Sequence, residues 1–178
     1  MPKPEFQSAE KIIEEIIRVN QAGEYAAKVI YQTQINNTTD SSTKQTLNEM
    51  LAEEAHHLIF FNEEMKKRGV RPTALMPVWH LLSWGLGKVS AKLGAKYTMI
   101  ATDAVEDVIQ GHYNEQIKTL EYAGETSLKE KIVKFREDEL HHQKVATEGI
   151  KNFGVLDSIF AKSIKIGCKI AIAISKKV

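Results

Sequence analysis

Two Glu-x-x-His tetrads, Glu54-Ala55-His56-His57 and Glu139-Leu140-His141-His142, are the residues of this chain whose types and spacing can do chemistry. Each follows a helical stretch carrying a lone acid in an apolar setting. These are Glu24 in Gly-Glu-Tyr-Ala-Ala and Glu106 in Ala-Val-Glu-Asp-Val-Ile. Glu24 lies 30 residues before Glu54, and Glu106 lies 33 before Glu139. The chain therefore reads as one helical hairpin used twice. Positions i and i+3 share a helix face. The Glu and His of a tetrad can thus reach one cation together, with the Glu bridging to a second. Four carboxylates and two imidazoles from four helices match the requirement of a di-iron or di-manganese bundle. That hard, oxygen-rich set leaves positions open for oxygen chemistry. The expected ligands are Glu24, Glu54, His57, Glu106, Glu139 and His142.

The register has competitors, because Glu53/His56 and Asp138/His141 have the same spacing. Glu53 shares its face with Thr46 and Glu49, whereas Glu54 falls with Leu47, Met50, Leu58 and Phe61. Asp138 and His141 fall with Lys131 and Lys134, whereas Glu139 falls with Ile132, Phe135 and Ala146. Glu106 lies between Met99, Ile109 and Tyr113. An acid on an apolar stripe is buried, and a lone buried carboxylate costs several kcal/mol unless something compensates it. A metal compensates it. Any one such Glu could be a boundary residue paired with Lys or Arg. Four of them on four apolar stripes, two with His at i+3, argue for a shared site.

The elements that position these residues are all helical, with no alternating β pattern. Ser8 suits the N-cap of a first helix over about 9–36, with Ile13, Ile17, Glu24 and Tyr31 on one face. A second helix spans about 41–68, and Gly69 suits its C′ position. Pro77 fits the first turn of an apolar segment reaching about Leu93, with Gly94 as a break. A third long helix covers about 95–123, closed by Gly124. A fourth starts near Ser127, with Ser127 and Glu130 as a capping box, and runs to about Asn152. A last amphipathic helix covers about 157–176. The expected class is an all-α four-helix bundle of two hairpins in a single domain over 1–178, plus amphipathic segments at about 75–95 and 155–178.

Composition narrows the function classes. The chain has 178 residues, 43% hydrophobic and 26% charged, with formal net charge +1. This is globular, and nothing points to nucleic acid as partner. The single cysteine, Cys168, rules out an intrachain disulfide or a Cys-rich cluster. It is expected as a small buried or membrane-facing apolar residue. Segment 1–8 has no apolar leader core, and no uninterrupted apolar run is long enough to span a bilayer. The neutral total hides an asymmetry. From Met65 to Thr102 there are seven bases and no acid, and from Lys151 to Val178 six lysines and one acid, Asp157. In the last helix Ser158, Lys162, Lys165, Lys169 and Lys176 fall near one face, with Ile159, Phe160, Ile164, Ile166, Ile170 and Ile174 largely elsewhere. Basic amphipathic helices lie in the bilayer interface, and Trp79 and Trp84 suit that boundary.

Three strings carry a resemblance: residues 18–27 (Arg-Val-Asn-Gln-Ala-Gly-Glu-Tyr-Ala-Ala), 104–116 (Ala-Val-Glu-Asp-Val-Ile-Gln-Gly-His-Tyr-Asn-Glu-Gln) and 135–142 (Phe-Arg-Glu-Asp-Glu-Leu-His-His). They resemble the demethoxyubiquinone hydroxylase family of ubiquinone biosynthesis, a ferritin-like group, over about residues 10–178. The resemblance implies an O2-dependent di-iron monooxygenase bound peripherally to a membrane. That would be the cytoplasmic face of a bacterial inner membrane, or the matrix face of the mitochondrial one. Its implied reaction is C5 hydroxylation of a 6-methoxy-3-methyl-2-polyprenyl-1,4-benzoquinol. It implies the same six ligands, and it marks His112 and Tyr113 as assisting substrate or electron transfer. On sequence alone Tyr113 shares the face of Glu106 and reads equally as core. No Gly-x-Gly-x-x-Gly fingerprint occurs. Electrons are therefore expected from outside, from NADH through the quinone or from another protein. A lipid-binding companion protein and a homo-oligomer are further implied partners. The competing reading is a ferritin-like iron-storage or peroxide-detoxifying protein, and a metal-free helical membrane adaptor is a third.

Overall fold

The computed structural model describes residues 8–177; the expectation of no leader core concerns a segment that lies almost wholly outside them. Six helices follow in order: α1 (Ala9–Asn37), α2 (Ser41–Arg68), α3 (Met76–Lys92), α4 (Ala95–Ala123), α5 (Thr126–Glu148) and α6 (Val155–Ser175), with no strand among the described residues. Helices α1 and α2 form one hairpin and α4 and α5 the other, and α1 against α4 and α2 against α5 close the bundle. Helix α3 lies on α1 and α4, and α6 lies on α4 and α1. The all-α, two-hairpin architecture expected from the repeat is the one observed.

Local chemistry accounts for most helix ends. Ser8 Oγ accepts from Lys11 N at 3.3 Å, and Asp40 Oδ1 accepts from Thr43 N at 2.6 Å, which caps two orphan N-termini. Gly69 and Gly124 close α2 and α4 in the left-handed region, φ 68° and 72°. Two boundaries differ from expectation. Ser127 and Glu130 form no capping box, because α5 has already begun at Thr126. The chain reverses tightly there, with Glu125 N bonded to Leu120 O at 3.0 Å, and the Glu125 carboxylate is taken by Arg68 at 3.0 Å. The same helix stops at Glu148 rather than near Asn152. Gly149 packs against Met99 there, and Asn152 takes φ 52°, which no helix continues.

The core lies in three patches. Ile17, Phe61, Leu120, Leu128 and Ile132 fill one end of the bundle. Tyr31, Leu47, Met50, Met99 and Ala146 fill the other. Ile100 and Ala104 of α4 meet Ala161 and Ile164 of α6 in the third. Each such large side chain contributes about 1.5–3 kcal/mol by leaving water. Helix α3 comes close to α1 at Gly87, where an added Cβ would stand 2.7 Å from Ile30 O. Asp157, the lone acid of the last segment, accepts from Gly154 N at 2.7 Å. It also pairs with Lys96 Nζ at 2.5 Å, which fixes how α6 enters over α4.

Candidate metal centre

Between the two end patches, α1, α2, α4 and α5 each send acids into the bundle axis. Glu24, Glu54, Glu106 and Glu139 are 1% exposed or less, and His57 and His142 are 2% and 1%. Two overlapping sets emerge. In Glu24, Glu54, His57 and Glu139, one donor atom from each lies within 4.8 Å of the others. The same holds for Glu54, Glu106, Glu139 and His142. Glu54 and Glu139, the acids of the two tetrads, belong to both sets. Glu24 with His57 and Glu106 with His142 are the ends.

The electrostatics are those of a site missing its counter-charge. Oxygen atoms of Glu24, Glu54, Glu106 and Glu139, together with His57 Nδ1, are buried without a hydrogen-bond partner. Native proteins leave few such groups unpaired. Burial, and then the charge of Glu139, push the carboxyls of Glu54 and Glu106 well above the usual range. Burial alone would raise Glu139 too, but His142 and His57 hold it down at about 2. Burial opposes charge on His57, yet contacts with Glu139 and Glu24 carry it up to about 12. His142, likewise opposed by burial, is carried to about 11 chiefly by Glu139 and Glu54. Divalent cations here would pair the orphaned oxygens and take over from the protons, so the donor set fits the group.

Three further interactions orient the six side chains. His57 Nδ1 lies 3.2 Å from Glu139 and 3.5 Å from Glu24, while its Nε2 meets Asp138 at 3.1 Å. His142 Nδ1 lies 3.1 Å from Glu139 and 3.3 Å from Glu54, while its Nε2 meets Glu53 at 2.6 Å. Each imidazole thus has one nitrogen fixed by a carboxylate of the opposite hairpin and the other turned inward, the arrangement that tunes metal-binding histidines. The acids set aside as ligands, Glu53 and Asp138, are therefore part of the site. Their signal in the sequence is the acidic doublet ending in each tetrad's Glu. The third interaction is a reciprocal pair. Tyr31 donates to Glu106, and Tyr113 donates to Glu24. Each Tyr stands seven residues after its own helix's Glu and serves the other helix's.

One side of this centre is hollow. A cavity of about 370 Å³ is lined by Glu24, Ala27 and Ile30 of α1, Trp79, Leu82 and Leu86 of α3, His112 and Tyr113 of α4, and Phe160, Ile164 and Cys168 of α6. Glu24 borders it; Glu54, Glu106 and Glu139 do not. His112 sits at its edge, where burial and then the positive charge of Lys176 hold the imidazole down to about 4. Gln116 Nε2 lies 2.8 Å from His112 Nε2. An amide nitrogen only donates, so that ring nitrogen accepts and the proton sits on Nδ1. Asn20 and Gln116 exchange two hydrogen bonds of 2.7–2.8 Å that lock this unit between α1 and α4. Cys168, half-buried in the wall, is pushed up to about 11, chiefly by burial. Of the two tryptophans, only Trp84 is exposed (43%, against 9% for Trp79).

Comparison with known proteins finds close similarity to one family. A family model described as ubiquinone biosynthesis protein COQ7 matches residues 11–175. The Dictyostelium discoideum protein named NADPH-dependent 3-demethoxyubiquinone 3-hydroxylase, mitochondrial, is 41% identical over 94% of this chain and 78% of its own. The human protein of the same name is 37% identical over 93% and 77%. The 3-demethoxyubiquinol 3-hydroxylase of Rhodospirillum rubrum is 36% identical over 98% and 82%.

Proposed function

The chain belongs to the family of ubiquinone biosynthesis protein COQ7, and on that premise we propose that it hydroxylates the ring of demethoxyubiquinol (6-methoxy-3-methyl-2-polyprenyl-1,4-benzoquinol) at C5, using a di-iron centre. The observation that carries this reading is that Glu24 belongs to the buried ligand cluster and also lines the apolar cavity. A ring held there would lie against the metal-binding side chains with water excluded. Glu54 and Glu139, common to both donor sets, would hold the metal pair together with Glu24 and His57 at one end and Glu106 and His142 at the other. Bound there, two ferrous ions would supply O2 activation, one oxygen atom going to the ring and the other leaving as water.

The chain's own residues supply the rest. Asp138 and Glu53 aim His57 and His142, and Tyr113 holds Glu24. Neutral His112 presents a hydrogen-bonding edge to the ring without placing a charge in the cavity. The two electrons beyond those of the ring C–H bond come from an external donor. A nicotinamide donor acting through the quinone fits the names of the relatives and a helical chain without a dinucleotide fold among its described residues.

The same proposal places the protein on the surface of the bacterial or mitochondrial inner membrane. No helix among the described residues is long and apolar enough to cross a membrane. Leu81, Leu82 and Val89 of α3, and Val155, Ile159, Ile166 and Ile170 of α6, are between 52% and 79% exposed. These two helices also wall the cavity, so a polyprenyl tail can stay in lipid while the ring enters.

The deciding experiment supplies purified iron-loaded protein with short-tailed demethoxyubiquinol, 18O2 and a chemical reductant, and identifies products by mass spectrometry. A ring gaining one labelled oxygen is expected; iron oxidation with an unchanged ring would overturn the proposal. Flotation with anionic liposomes tests the location, and protein that stays at the bottom at low salt would refute it.

A further inference from the structure

The cavity wall has more polar atoms than its character suggests, and several of them are engaged with neighbours. The Tyr113 hydroxyl donates to Glu24. The Asn20 amide is paired with Gln116, and Gln116 also holds His112. Ser163 Oγ donates to Phe160 O at 2.7 Å. Trp79 differs. Its side chain is buried at 9% exposure and lines the cavity, and Nε1 is the one buried donor of the described lining residues that has no partner.

Its surroundings hold it in place. The next residue, His80, bonds through Nδ1 to the Tyr25 hydroxyl at 2.9 Å, and Tyr25 follows Glu24 in α1. The start of α3 is thus tied to the segment that carries the cavity's carboxylate. Trp84, one helical turn and a half further on, has the ordinary interfacial environment, exposed and with the Lys88 ammonium 4.5 Å from its ring centre.

We propose that the Trp79 indole N–H donates to an oxygen of the ring that enters this cavity, making Trp79 a specificity-determining residue for oxygenated rings over hydrocarbon. An indole nitrogen donates and cannot accept, so the partner must offer a lone pair: a quinone carbonyl, a phenolic oxygen or a methoxy oxygen. The complementarity runs both ways. A buried donor without a partner is costly, and so is a ring oxygen brought into a hydrocarbon wall. One hydrogen bond removes both deficits. The inference rests on the quinol reading of the cavity.

The test uses the full-length protein carrying diamagnetic zinc, labelled with 15N at the indoles. The chain has two tryptophans, and either Trp79→Phe or Trp84→Phe assigns both indole signals, so assignment survives if the first variant fails to fold. Probes are a short-tailed 6-methoxy-3-methyl-2-prenyl-1,4-benzoquinone and a prenylated trimethylbenzene without oxygen. The quinone is expected to move the Trp79 indole proton downfield and the hydrocarbon to leave it in place. Trp79→Phe is expected to weaken quinone binding roughly three- to tenfold, the range for one neutral hydrogen bond, and hydrocarbon binding by less than about twofold. Calorimetric binding of the quinone with no shift of the Trp79 signal, or equal weakening of both probes, overturns the inference and leaves the hydroxylase reading standing. No binding of either probe removes the cavity reading and the inference with it.

Discussion

Loading the metal-free protein with two divalent cations at pH 7 is expected to expel at least two protons. The count comes from the site itself. The imidazoles of His57 and His142, carried to about 12 and 11, hold protons at that pH. The carboxyls of Glu54 and Glu106 are pushed well above the usual carboxylate range by burial and then by the charge of Glu139, the direction that adds to this count. Glu139, held at about 2, has none to give. Coordination needs neutral imidazoles and ionised carboxylates, so two protons leave from the imidazoles, and any held on Glu54 and Glu106 leave with them. Four carboxylates then balance two divalent cations. The assay is calorimetric titration of apoprotein in buffers of different ionisation enthalpy, where the dependence of the observed heat on that enthalpy gives the number released. The same groups set the stability of the apoprotein. Their native pKa values lie above the unfolded ones, so their stabilisation is complete below the unfolded values and is lost as pH rises toward the native ones. For the imidazoles that window runs from about 6.5 to about 11–12. The two of them set a slope of at most about 3 kcal/mol per pH unit. Metal-loaded protein, with those protons gone, should show no such fall. Release of one proton or none on loading would mean that the six side chains form a settled ion-pair network and not a cation site.

Other consequences follow from single contacts. Glu54→Gln removes a carboxylate common to both ligand sets; two-metal loading, read by elemental analysis, should be lost. The melting temperature of the metal-free variant should equal or exceed that of the parent, because an amide is easier to bury than an acid. Tyr31→Phe and Tyr113→Phe each delete a hydroxyl that serves a buried carboxylate. Each should weaken one of two metal-binding steps about tenfold or more, for a lost bond to a charged group of about 1.5–3 kcal/mol. Only Tyr113→Phe, which alters the cavity wall, should also change quinone affinity. Gly87→Ala would drive a Cβ to 2.7 Å from Ile30 O and 2.8 Å from Thr33 Cβ; calorimetric unfolding should show a loss of about 1–3 kcal/mol. Gly149→Ala is the milder comparison, since its closest contact is the movable Met99 side chain at 2.9 Å.

What could be read from the sequence was whatever depends on one helix at a time. The choice of Glu54 over Glu53, and of Glu139 over Asp138, needs only the apolar stripe on which each falls. Glu54 and Glu139 prove fully buried, while Glu53 is exposed and Asp138 partly so. Gly69, Gly94 and Gly124 mark helix limits because a positive φ suits them. What could not be read depends on how helices rotate against each other. The His57–Asp138 and His142–Glu53 bonds join positions 81 and 89 residues apart, and their pairing follows from the crossing of α2 over α5. The Tyr31–Glu106 bond depends in the same way on α1 and α4. Trp79 was expected at the membrane boundary with Trp84. Its burial follows from the close approach of α3 to α1 at Gly87, which no periodicity announces.

The repeat makes the metal box nearly symmetric, and the two added helices make it directional. Each hairpin contributes a lone Glu, a Glu-x-x-His and a tyrosine that serves the other hairpin's lone Glu. Taken alone, that arrangement offers no reason for a ring to approach from one side. Helices α3 and α6, one after each hairpin, both border the cavity on the side where Glu24 and Tyr113 lie. Tyr31, by contrast, is packed among Leu47, Met50 and Met99 and does not line the cavity. The helices that break the symmetry also carry much of the exposed apolar surface. On the proposed reading a ring entering this cavity meets Glu24 and not the other three carboxylates. On the proposed reading the two metal positions do different work although their donor sets match. Enlarging the cavity through α3 or α6 should then alter substrate choice while leaving both metal-binding steps as they were.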